Sequence, residues 1–377
     1  MYKRIIAKQI KEKFFKGKAI VITGARQTGK TTLALEILKE TKYLNKTKVF
    51  NCDNPTDREM LNNKNIDFLI KLVDKEEVIF IDEGQKVETI GQTLKLLADH
   101  YKNKKQIVIT GSSSLNLLDK TEEALTGRKF VFKLFPLSIE EIYPQKDIIK
   151  SAKELESLMI YGSYPEVEMQ RTFADRKELL RELASSNLYR DILEFQEVKN
   201  STIIMSLLKA LALQIGNEVS YTELASLIGI NKNTIEKYVD LLEKSYIIFR
   251  LPPYHSNKRR EISKLRKIYF YDLGIRNSII NNFNILANRN DVGSLWENYL
   301  IIERIKWQNY HKIFANNYFW RTYDGAEVDF IEEKNGGLHG FEFKWGRKKN
   351  KPSAKWTEIM NSSYKVISSE NYLDWFY

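Results

Sequence analysis

The sequence has little cysteine and little histidine. Its 377 residues include one cysteine, Cys52, and four histidines. A single cysteine cannot form an internal disulfide, which is expected for a protein of the reducing cytoplasm. These few residues also argue against a structural zinc site, which usually needs four cysteine or histidine ligands.

Long hydrophobic runs are also missing. No stretch of about 18 uncharged apolar residues occurs, so we expect no membrane span. The first residues, MYKRIIAKQIKEKFF, lack the apolar core of a secretion signal, and we expect a cytoplasmic protein. The 60 basic and 49 acidic residues give a net charge of +11. That excess favours a polyanionic partner such as a nucleotide or nucleic acid, although an ordinary lysine-rich surface explains it equally well.

A glycine-rich loop near the N-terminus carries a nucleotide-binding pattern. The apolar run 19–23 leads into a G-x4-G-K-T loop and then into a helical pattern, which are the flanks that this motif requires. The loop amides and the helix N-terminus favour phosphate oxygens. Lys30 is expected to reach the β- and γ-phosphates, and Thr31 to offer its hydroxyl to Mg²⁺. The predicted ATP-binding residues are Gly24, Ala25, Arg26, Gln27, Thr28, Gly29, Lys30, Thr31 and Thr32.

Two further strands end in polar residues that suit this site. The run 78–81 leads into Asp82 and Glu83. At the carboxyl edge of a parallel sheet, Asp82 can hold Mg²⁺ and Glu83 can orient the attacking water, unless the pair only caps the next helix. The strand in KQIVITGSSS predicts Thr110 and Ser112 beside the γ-phosphate, or else Ser112 as a helix N-cap.

Arg128 follows a glycine in LTGRKF. An arginine there is a candidate finger that stabilises charge on the γ-phosphate, although a lone arginine is more often a surface group. The sequence does not set the oligomeric state, so Arg128 could act on its own nucleotide or, in an oligomer, on that of a neighbour.

The motifs together resemble the AAA-like ATPases of bacteria and archaea that carry an uncharacterised C-terminal domain. The resemblance starts from TGARQTGKTTL, FIDEGQ, ITGSSS, LTGRKF and FPLSIEEI, and continues through YGSYPEV, NLYRDI, KIYFYDLGIRN, LWENYL and EVDFIEE…FEFKWG. It covers nearly the whole chain. The sequence departs from the family at GSYP, where the family usually has a second glycine. The resemblance implies an ASCE-type parallel sheet with Glu83 as the catalytic carboxylate, and it strengthens the case for Arg128.

The middle of the chain reads as helical. Apolar residues recur at three and four over about 150–215, which predicts a helical lid region. A short helix from Thr222 to Gly229, a second to Glu243 and the strand YIIFRL then predict a winged helix. From Arg250 to Lys267 there are seven basic residues and one acid, a wing that could lie on DNA phosphates. Such modules also dock proteins.

The last part, about 292–368, has the order α-β-β-β-α-β of the restriction-endonuclease-like fold. Its site residues would be Asp329, Glu342 and Lys344, with Glu297 from the first helix. Asp329 and Glu342 would hold a metal ion that activates water. A solvated hairpin, or a nuclease fold without turnover, are the alternatives.

The hairpin of this part has a predicted register. If Glu333 pairs with Leu338 across the turn, Asp329 faces Glu342 and Glu327 faces Lys344. Alternation then places these four charged residues on one face, and the apolar residues 328, 330, 341 and 343 on the other. Facing carboxylates repel, unless a cation joins them.

These patterns give an α/β chain with four predicted parts: a P-loop ATPase domain (1–145), a helical lid region (146–215), a winged helix (216–275) and a restriction-endonuclease-like domain (276–377). The predicted function is an ATP- and Mg²⁺-dependent ATPase whose nucleotide state gates a nuclease-like domain that engages DNA. The alternative is a nucleotide-switched signalling or scaffold ATPase with an inactive nuclease-fold tail that binds protein. No membrane partner is expected.

Overall fold

The computed structural model describes residues 2–112, 125–144, 148–187, 201–255, 266–346, 352–359 and 361–376. They form two compact units. The first comprises residues 1–136 together with 244–246, and the second comprises 137–243 and 247–377. The four predicted parts of the chain and their bounds stay a prediction.

The first unit is built on a parallel sheet of five strands in the order β2-β3-β4-β1-β5. The strands are β1 (Ala19–Thr23), β2 (Thr47–Asn51), β3 (Val78–Asp82), β4 (Gln106–Gly111) and β5 (Lys129–Lys133). The helices are α1 (Ile6–Lys11), α2 (Lys30–Glu40), α3 (Pro55–Leu61), α4 (Ile66–Val73) and α5 (Ile90–Tyr101). β1, β3 and β4 are continuous apolar runs because both faces of a parallel sheet are buried.

The residues 244–246 belong to this first unit although they come much later in the chain. The Tyr246 hydroxyl donates a hydrogen bond of 3.0 Å to Oγ1 of Thr23, the last residue of β1. The Lys133 ammonium lies 4.6 Å from the centre of the Tyr246 ring. The end of β1 is therefore covered by a short segment that lies between two elements of the second unit in the chain.

The second unit begins with helices, as predicted. They are α6 (Ile139–Ile142), α7 (Ile148–Tyr161), α8 (Pro165–Glu168), α9 (Phe173–Glu182) and α10 (Ser201–Leu213), with one π turn at Leu183–Asn187. Their predicted role as a lid stays a prediction.

A pair of helices and a small sheet follow. α11 (Tyr221–Ile228) ends at Gly229 in the left-handed conformation, and α12 (Lys232–Lys244) follows it. β6 (Glu218–Val219), β7 (Ile248–Leu251) and β8 (Arg266–Phe270) form an antiparallel sheet in the order β6-β8-β7. α11, α12 and β7 are the two helices and the strand that the sequence predicts. Most of the predicted basic wing, residues 256–265, lies outside the described residues.

The last part has the predicted α-β-β-β-α-β order. Its elements, after α13 (Leu273–Ile279), are α14 (Val292–Tyr310), β9 (Asn316–Arg321), β10 (Glu327–Lys334), β11 (Gly337–Lys344), α15 (Ala354–Thr357) and β12 (Ser362–Ser368). The sheet order is β12-β11-β10-β9, with β12 parallel to β11.

The predicted hairpin register is confirmed from Glu333↔Leu338 back to Phe330↔Phe341. The predicted alternation holds for Phe330, Phe341 and Phe343, whose rings lie together. It is wrong at Val328, because the pairing of β10 with β9 shifts between Val328 and Ile331. Val328 therefore packs with Ile331 in a cluster around Trp356, whereas the Phe330 ring contacts Trp375. Both faces of the sheet carry apolar side chains, and the expected division into one core face and one charged face does not occur.

Within the described ranges, no helix has the length and apolar character needed to cross a membrane.

Candidate functional site

The loop between β1 and α2 has the backbone that the glycine-rich motif predicts. Gly29 and Gln27 have φ angles of 90° and 58°, in the left-handed region. A Cβ atom at Gly24 would lie 2.0 Å from the carbonyl oxygen of Leu134, so only glycine fits where the loop leaves β1. α2 begins at Lys30, which directs its first amide groups toward the loop. The local geometry is that of a phosphate-binding loop.

Lys30 is buried, and its ammonium donates to loop carbonyl oxygens. The distances from Nζ are 3.0 Å to the Gly24 oxygen and 2.8 Å to the Ala25 oxygen. A buried ammonium requires such acceptors or an anion. The side chain is thus held over the concave side of the loop, where the predicted contact with phosphate would form.

Arg4, in the N-terminal segment, forms hydrogen bonds with the backbone of the loop and of the segment after β5. Its Nη1 donates to the Thr28 carbonyl oxygen at 2.8 Å, and its Nη2 donates to the Phe135 carbonyl oxygen at 2.6 Å. The sequence analysis did not identify this residue. The signal available was an arginine two residues before an amphipathic helix, which is too common to single it out.

Asp82 ends β3 beside the start of α2. The Thr31 hydroxyl lies 2.8 Å from its Oδ1 and 3.0 Å from its Oδ2, and the Thr110 hydroxyl donates to Oδ1. Burial raises the pKa of the Asp82 carboxyl, and the hydrogen bonds from Thr110 and Thr31 oppose that rise. The predicted pair Thr31 and Asp82 is brought together.

The oxygens at this position suit a magnesium ion. A threonine hydroxyl and a carboxylate are hard donors of the kind that Mg²⁺ binds, and such sites usually complete the coordination with water and substrate phosphates. Thr31 follows Lys30 directly, so the hydroxyl lies beside the phosphate loop. Thr31 and Asp82 therefore fit a magnesium ion.

Glu83 follows in a strained turn. Its φ and ψ angles are 52° and 40°, in the left-handed region. Its Oε2 accepts a hydrogen bond of 2.5 Å from Nε2 of Gln85, and Ser112 Oγ lies 3.4 Å from the same oxygen. The structure therefore brings Ser112 to Glu83, as β3 and β4 are neighbours, and it adds Gln85, which the sequence analysis did not identify.

Arg128 lies at the other end of the sheet from the phosphate loop. Its carbonyl oxygen accepts from the amide of Ala19 at the amino end of β1, whereas the loop leaves the carboxyl end at Thr23. Its guanidinium pairs with Asp99, with a distance of 2.5 Å between Nε and Oδ1. The structure does not bring Arg128 to the loop of its own chain. A role at a neighbour's nucleotide stays a prediction.

In the second unit, two of the carboxylates predicted to bind metal, Glu297 and Glu342, are paired with lysines. Lys267 of β8 is almost fully buried, and its Nζ lies 3.0 Å from Glu297 Oε1 and 2.6 Å from Glu327 Oε1. The Tyr269 hydroxyl also donates to Glu297 Oε1 at 2.5 Å. Although burial would lower the pKa of Lys267, Glu297 and Glu327 raise it above its usual range. Lys267 is therefore a charged partner of two carboxylates.

Lys344 binds a third carboxylate on its own strand. Its Nζ lies 2.6 Å from Glu342 Oε1. Asp329 Oδ2 accepts from the amide of Phe343 at 2.7 Å, which takes this carboxylate out of the expected cross-strand pairing. Burial raises the pKa of Asp329 well above its usual value, and the negative charges of Glu297 and Glu342 raise it further. The predicted cross-strand pair between Glu327 and Lys344 does not form.

The predicted metal set of Asp329, Glu342 and Glu297 stays a prediction. In the part of the chain that the structure describes, no group of three or more aspartate, glutamate, histidine or cysteine side chains is placed to hold a metal ion. Two ammonium groups, of Lys267 and Lys344, lie against oxygens of Glu297 and Glu342. Lys267 was predicted as part of the exposed basic wing, but the structure buries it in β8 against Glu297 and Glu327, which are far away in the chain.

The surface of α12 carries charges of both signs. Lys232, Lys237 and Glu236 are exposed. Arg250 of β7 binds two acids of the same helix. Its Nη1 lies 2.6 Å from Asp240 Oδ1, and its Nε lies 2.7 Å from Glu243 Oε2. The second predicted helix therefore has exposed lysines near its start, whereas two acids near its end are paired with Arg250.

Comparison with known protein families assigns three ranges. Residues 16–143 match the model of an AAA domain, residues 152–285 that of a domain of unknown function (DUF8612), and residues 292–372 that of a domain of unknown function (DUF4143). Residues 16–143 are therefore similar to an AAA domain.

Relatives among curated proteins align over most of the chain. An uncharacterized protein of Mycobacterium tuberculosis is 26% identical over 346 residues, which are 91% of this chain and 74% of the relative. An uncharacterized protein of Methanocaldococcus jannaschii is 27% identical over 349 residues, which are 87% of this chain and 75% of the relative.

Solved structures give weaker matches. DnaA from Aquifex aeolicus with bound AMPPCP aligns with a TM-score of 0.30 and 16% identity, over 64% of this chain and 86% of that one. The Pif1 helicase from Candida albicans aligns with a TM-score of 0.29 and 13% identity, over 49% of this chain and 48% of that one.

Proposed function

We propose that the N-terminal unit binds ATP with Mg²⁺ and hydrolyses it. The observation that carries the proposal is the meeting, at one edge of the parallel sheet, of the phosphate loop, the Thr31–Asp82 pair and Glu83. A triphosphate at this edge would meet loop amides, an ammonium, a magnesium-binding pair and a carboxylate, which are the parts that phosphoryl transfer to water requires.

The residues have separate roles in this proposal. The amides at the start of α2 and the Lys30 ammonium bind the phosphates. When ATP binds, the ammonium leaves the carbonyl oxygens of Gly24 and Ala25 and donates to phosphate oxygens instead. Thr31 and Asp82 would hold Mg²⁺, which neutralises charge on the phosphate oxygens. Glu83 orients the attacking water and accepts its proton.

The test is ATP turnover in the wild type, Lys30→Ala and Glu83→Gln, with nucleotide binding measured by calorimetry. We expect Lys30→Ala to lose nucleotide binding. Glu83→Gln should bind nucleotide normally, but its turnover should be at least about 10²-fold slower, because a general base contributes that much to the rate. Lys39→Ala, on the exposed side of the same helix, is the matched control and should behave as wild type. Equal turnover in all four proteins would refute the proposal.

For the second unit we propose a nucleotide-controlled binding module on a restriction-endonuclease-like and winged-helix framework. The α-β-β-β-α-β order supports the nuclease-like framework, and the helix pair α11–α12 with its small sheet supports the winged helix. The lysines bound to its carboxylates favour a tail without nuclease turnover over an active nuclease. ATP binding would change the affinity of this module for its partner.

DNA is the partner to test first, because the chain carries a net charge of +11 and exposed lysines at the start of α12. Duplex DNA is titrated at several salt concentrations, with and without a non-hydrolysable ATP analogue. We expect salt-dependent binding that changes with the analogue and weakens in Lys232→Ala/Lys237→Ala. Lys365→Ala, exposed on β12, is the control. An absence of DNA binding under all conditions would leave a protein partner as the better candidate.

Cleavage is tested in the same samples by adding Mg²⁺ or Mn²⁺ to plasmid and linear DNA. We expect no cleavage by the wild type. Cleavage that disappears in Asp329→Ala would overturn the assignment of an inactive tail.

A further inference from the structure

Gln85 is a buried glutamine that contacts both Glu83 and Ser112. It is 4% exposed, and its Nε2 lies 2.5 Å from Glu83 Oε2 and 2.9 Å from Ser112 Oγ. An ionised carboxylate only accepts hydrogen bonds, so the amide nitrogen of Gln85, and not its oxygen, must face Glu83. The chemistry of the pair thus fixes the orientation of the amide.

The local backbone delivers Gln85 to this position. β3 ends at Asp82, the chain turns at Glu83 in the left-handed region, and a short 3₁₀ helix spans Gly84–Lys86. A Cβ atom at Gly84 would lie 2.3 Å from Cδ1 of Ile109 on β4, so a glycine lets the turn pack directly on the neighbouring strand. Gln85 can therefore reach Ser112, just beyond the end of β4.

Both contacts to Glu83 are made with the same oxygen. Nε2 of Gln85 and Oγ of Ser112 approach Oε2, at 2.5 Å and 3.4 Å. A glutamate side chain has three rotatable bonds, and a base that must aim one oxygen at a water molecule is slower if it swings between rotamers. A base is commonly oriented by a third group in this way.

We infer that Gln85 is a positioning residue for ATP hydrolysis: it holds Oε2 of Glu83, so that Oε1 faces the attacking water, and it ties this carboxylate to Ser112. The inference rests on the proposed ATPase function. It assigns Ser112 an action through Gln85 and Glu83 rather than a direct contact with the γ-phosphate.

The first test compares steady-state ATP turnover in the wild type, Gln85→Met and Gln85→Ala. Methionine keeps the length of the side chain without an amide donor. We expect kcat to fall about 10- to 100-fold, the range found when groups that orient a reacting residue are removed. KM and the nucleotide Kd should change less than about twofold. Gln92→Ala, exposed on α5, is the matched control and should leave both values unchanged.

The second test separates positioning from a general loss of structure. Gln85→Met is combined with Glu83→Gln, and single-turnover rates are measured. If Gln85 acts through the Glu83 carboxylate, its substitution should change the rate of the Glu83→Gln protein less than about twofold, because interacting residues are not additive. Ser112→Ala should give a smaller loss of kcat than Gln85→Met, again without a change in KM.

The outcomes distinguish the inference from the function on which it rests. No turnover in the wild type, or equal turnover in Glu83→Gln, would refute the ATPase proposal itself. A slow Glu83→Gln protein together with a Gln85→Met protein of unchanged or raised kcat would overturn only the role of Gln85. An equal loss of rate in both backgrounds, or a fall in melting temperature that accounts for the loss, would do the same.

Discussion

The two carboxylate regions of this molecule differ in the groups that hold them. At the end of β3, Asp82 is bonded to the hydroxyls of Thr31 and Thr110, and Glu83 to an amide and a hydroxyl. In the second unit, Glu297, Glu327 and Glu342 are bound by the ammonium groups of Lys267 and Lys344. Neutral donors orient a carboxylate and leave its charge for an arriving cation, whereas a lysine neutralises the charge within the fold.

The largest effect is expected on removing the buried lysine. Lys267→Met leaves Glu297 and Glu327 without their cation, and breaking a buried ion pair costs about 3–5 kcal/mol. Urea unfolding should show this loss, and Lys365→Met, exposed on β12, should show almost none. Adding Glu297→Gln should recover part of the stability. A Lys267→Met protein as stable as wild type would mean that the charge difference between the regions has little energetic weight.

The sequence predicts the structure of a region well when the residues that contact each other there are close together in the chain, and poorly when they are far apart. The phosphate loop, β3 and β4 are local patterns with strong physical signals, and they are found where predicted. The hairpin register was predictable from Glu333 to Phe330, but the shift of β10 at Val328 was not, because it depends on pairing with β9. Lys267 counted as a residue of the basic wing, and its pairing with Glu297 and Glu327 was not predictable because these partners are far away in the chain.

An intermediate effect is expected at the neutral donors. Thr110→Val removes the buried hydroxyl that donates to Asp82 and accepts from the Glu83 amide at 3.3 Å. Leaving buried polar groups without this partner costs about 1–3 kcal/mol, less than the loss of Lys267. The unfolding free energies of the two variants check the order. A reversed order would show that hydroxyls and not ammonium groups dominate the stability of these regions.

A smaller effect of the opposite sign is expected at Asp329. Its folded-state pKa is raised by burial and by neighbouring carboxylates, so ionisation disfavours the folded state once the pH rises above the unfolded value of about 3.9. Asp329→Asn should therefore stabilise the protein at pH 8, because the variant has no carboxyl group whose ionisation favours unfolding.

The difference should shrink as the pH falls toward the unfolded pKa of about 3.9, and it should disappear below that value, where the aspartate is protonated in both states. Melting temperatures of the two proteins at pH 4, 6 and 8 are the measurement. A destabilised Asn variant at pH 8 would show that the Asp329 charge is compensated, as a metal or a further lysine would do.

The smallest effect is expected at Arg128, which is exposed and bound to Asp99. Exposed pairs contribute about 0–1 kcal/mol, so Arg128→Ala should scarcely change stability. Turnover should stay within about twofold of wild type in dilute protein, because the residue lies at the far end of β1 from the phosphate loop. A loss of turnover that appears only at high protein concentration would assign Arg128 to a neighbour's nucleotide.

Because residues 244–246 belong to the first unit, the residue at which a recombinant fragment of this unit ends is important. A recombinant fragment that stops at residue 136, or at any point before Lys244, would contain the whole five-stranded sheet but would lack the tyrosine whose hydroxyl meets Thr23. Thr23 is the residue immediately before the phosphate loop. Truncation would thus uncover the base of that loop, and weak nucleotide affinity in such a fragment would reflect where the chain was cut rather than an inability of the intact protein to bind.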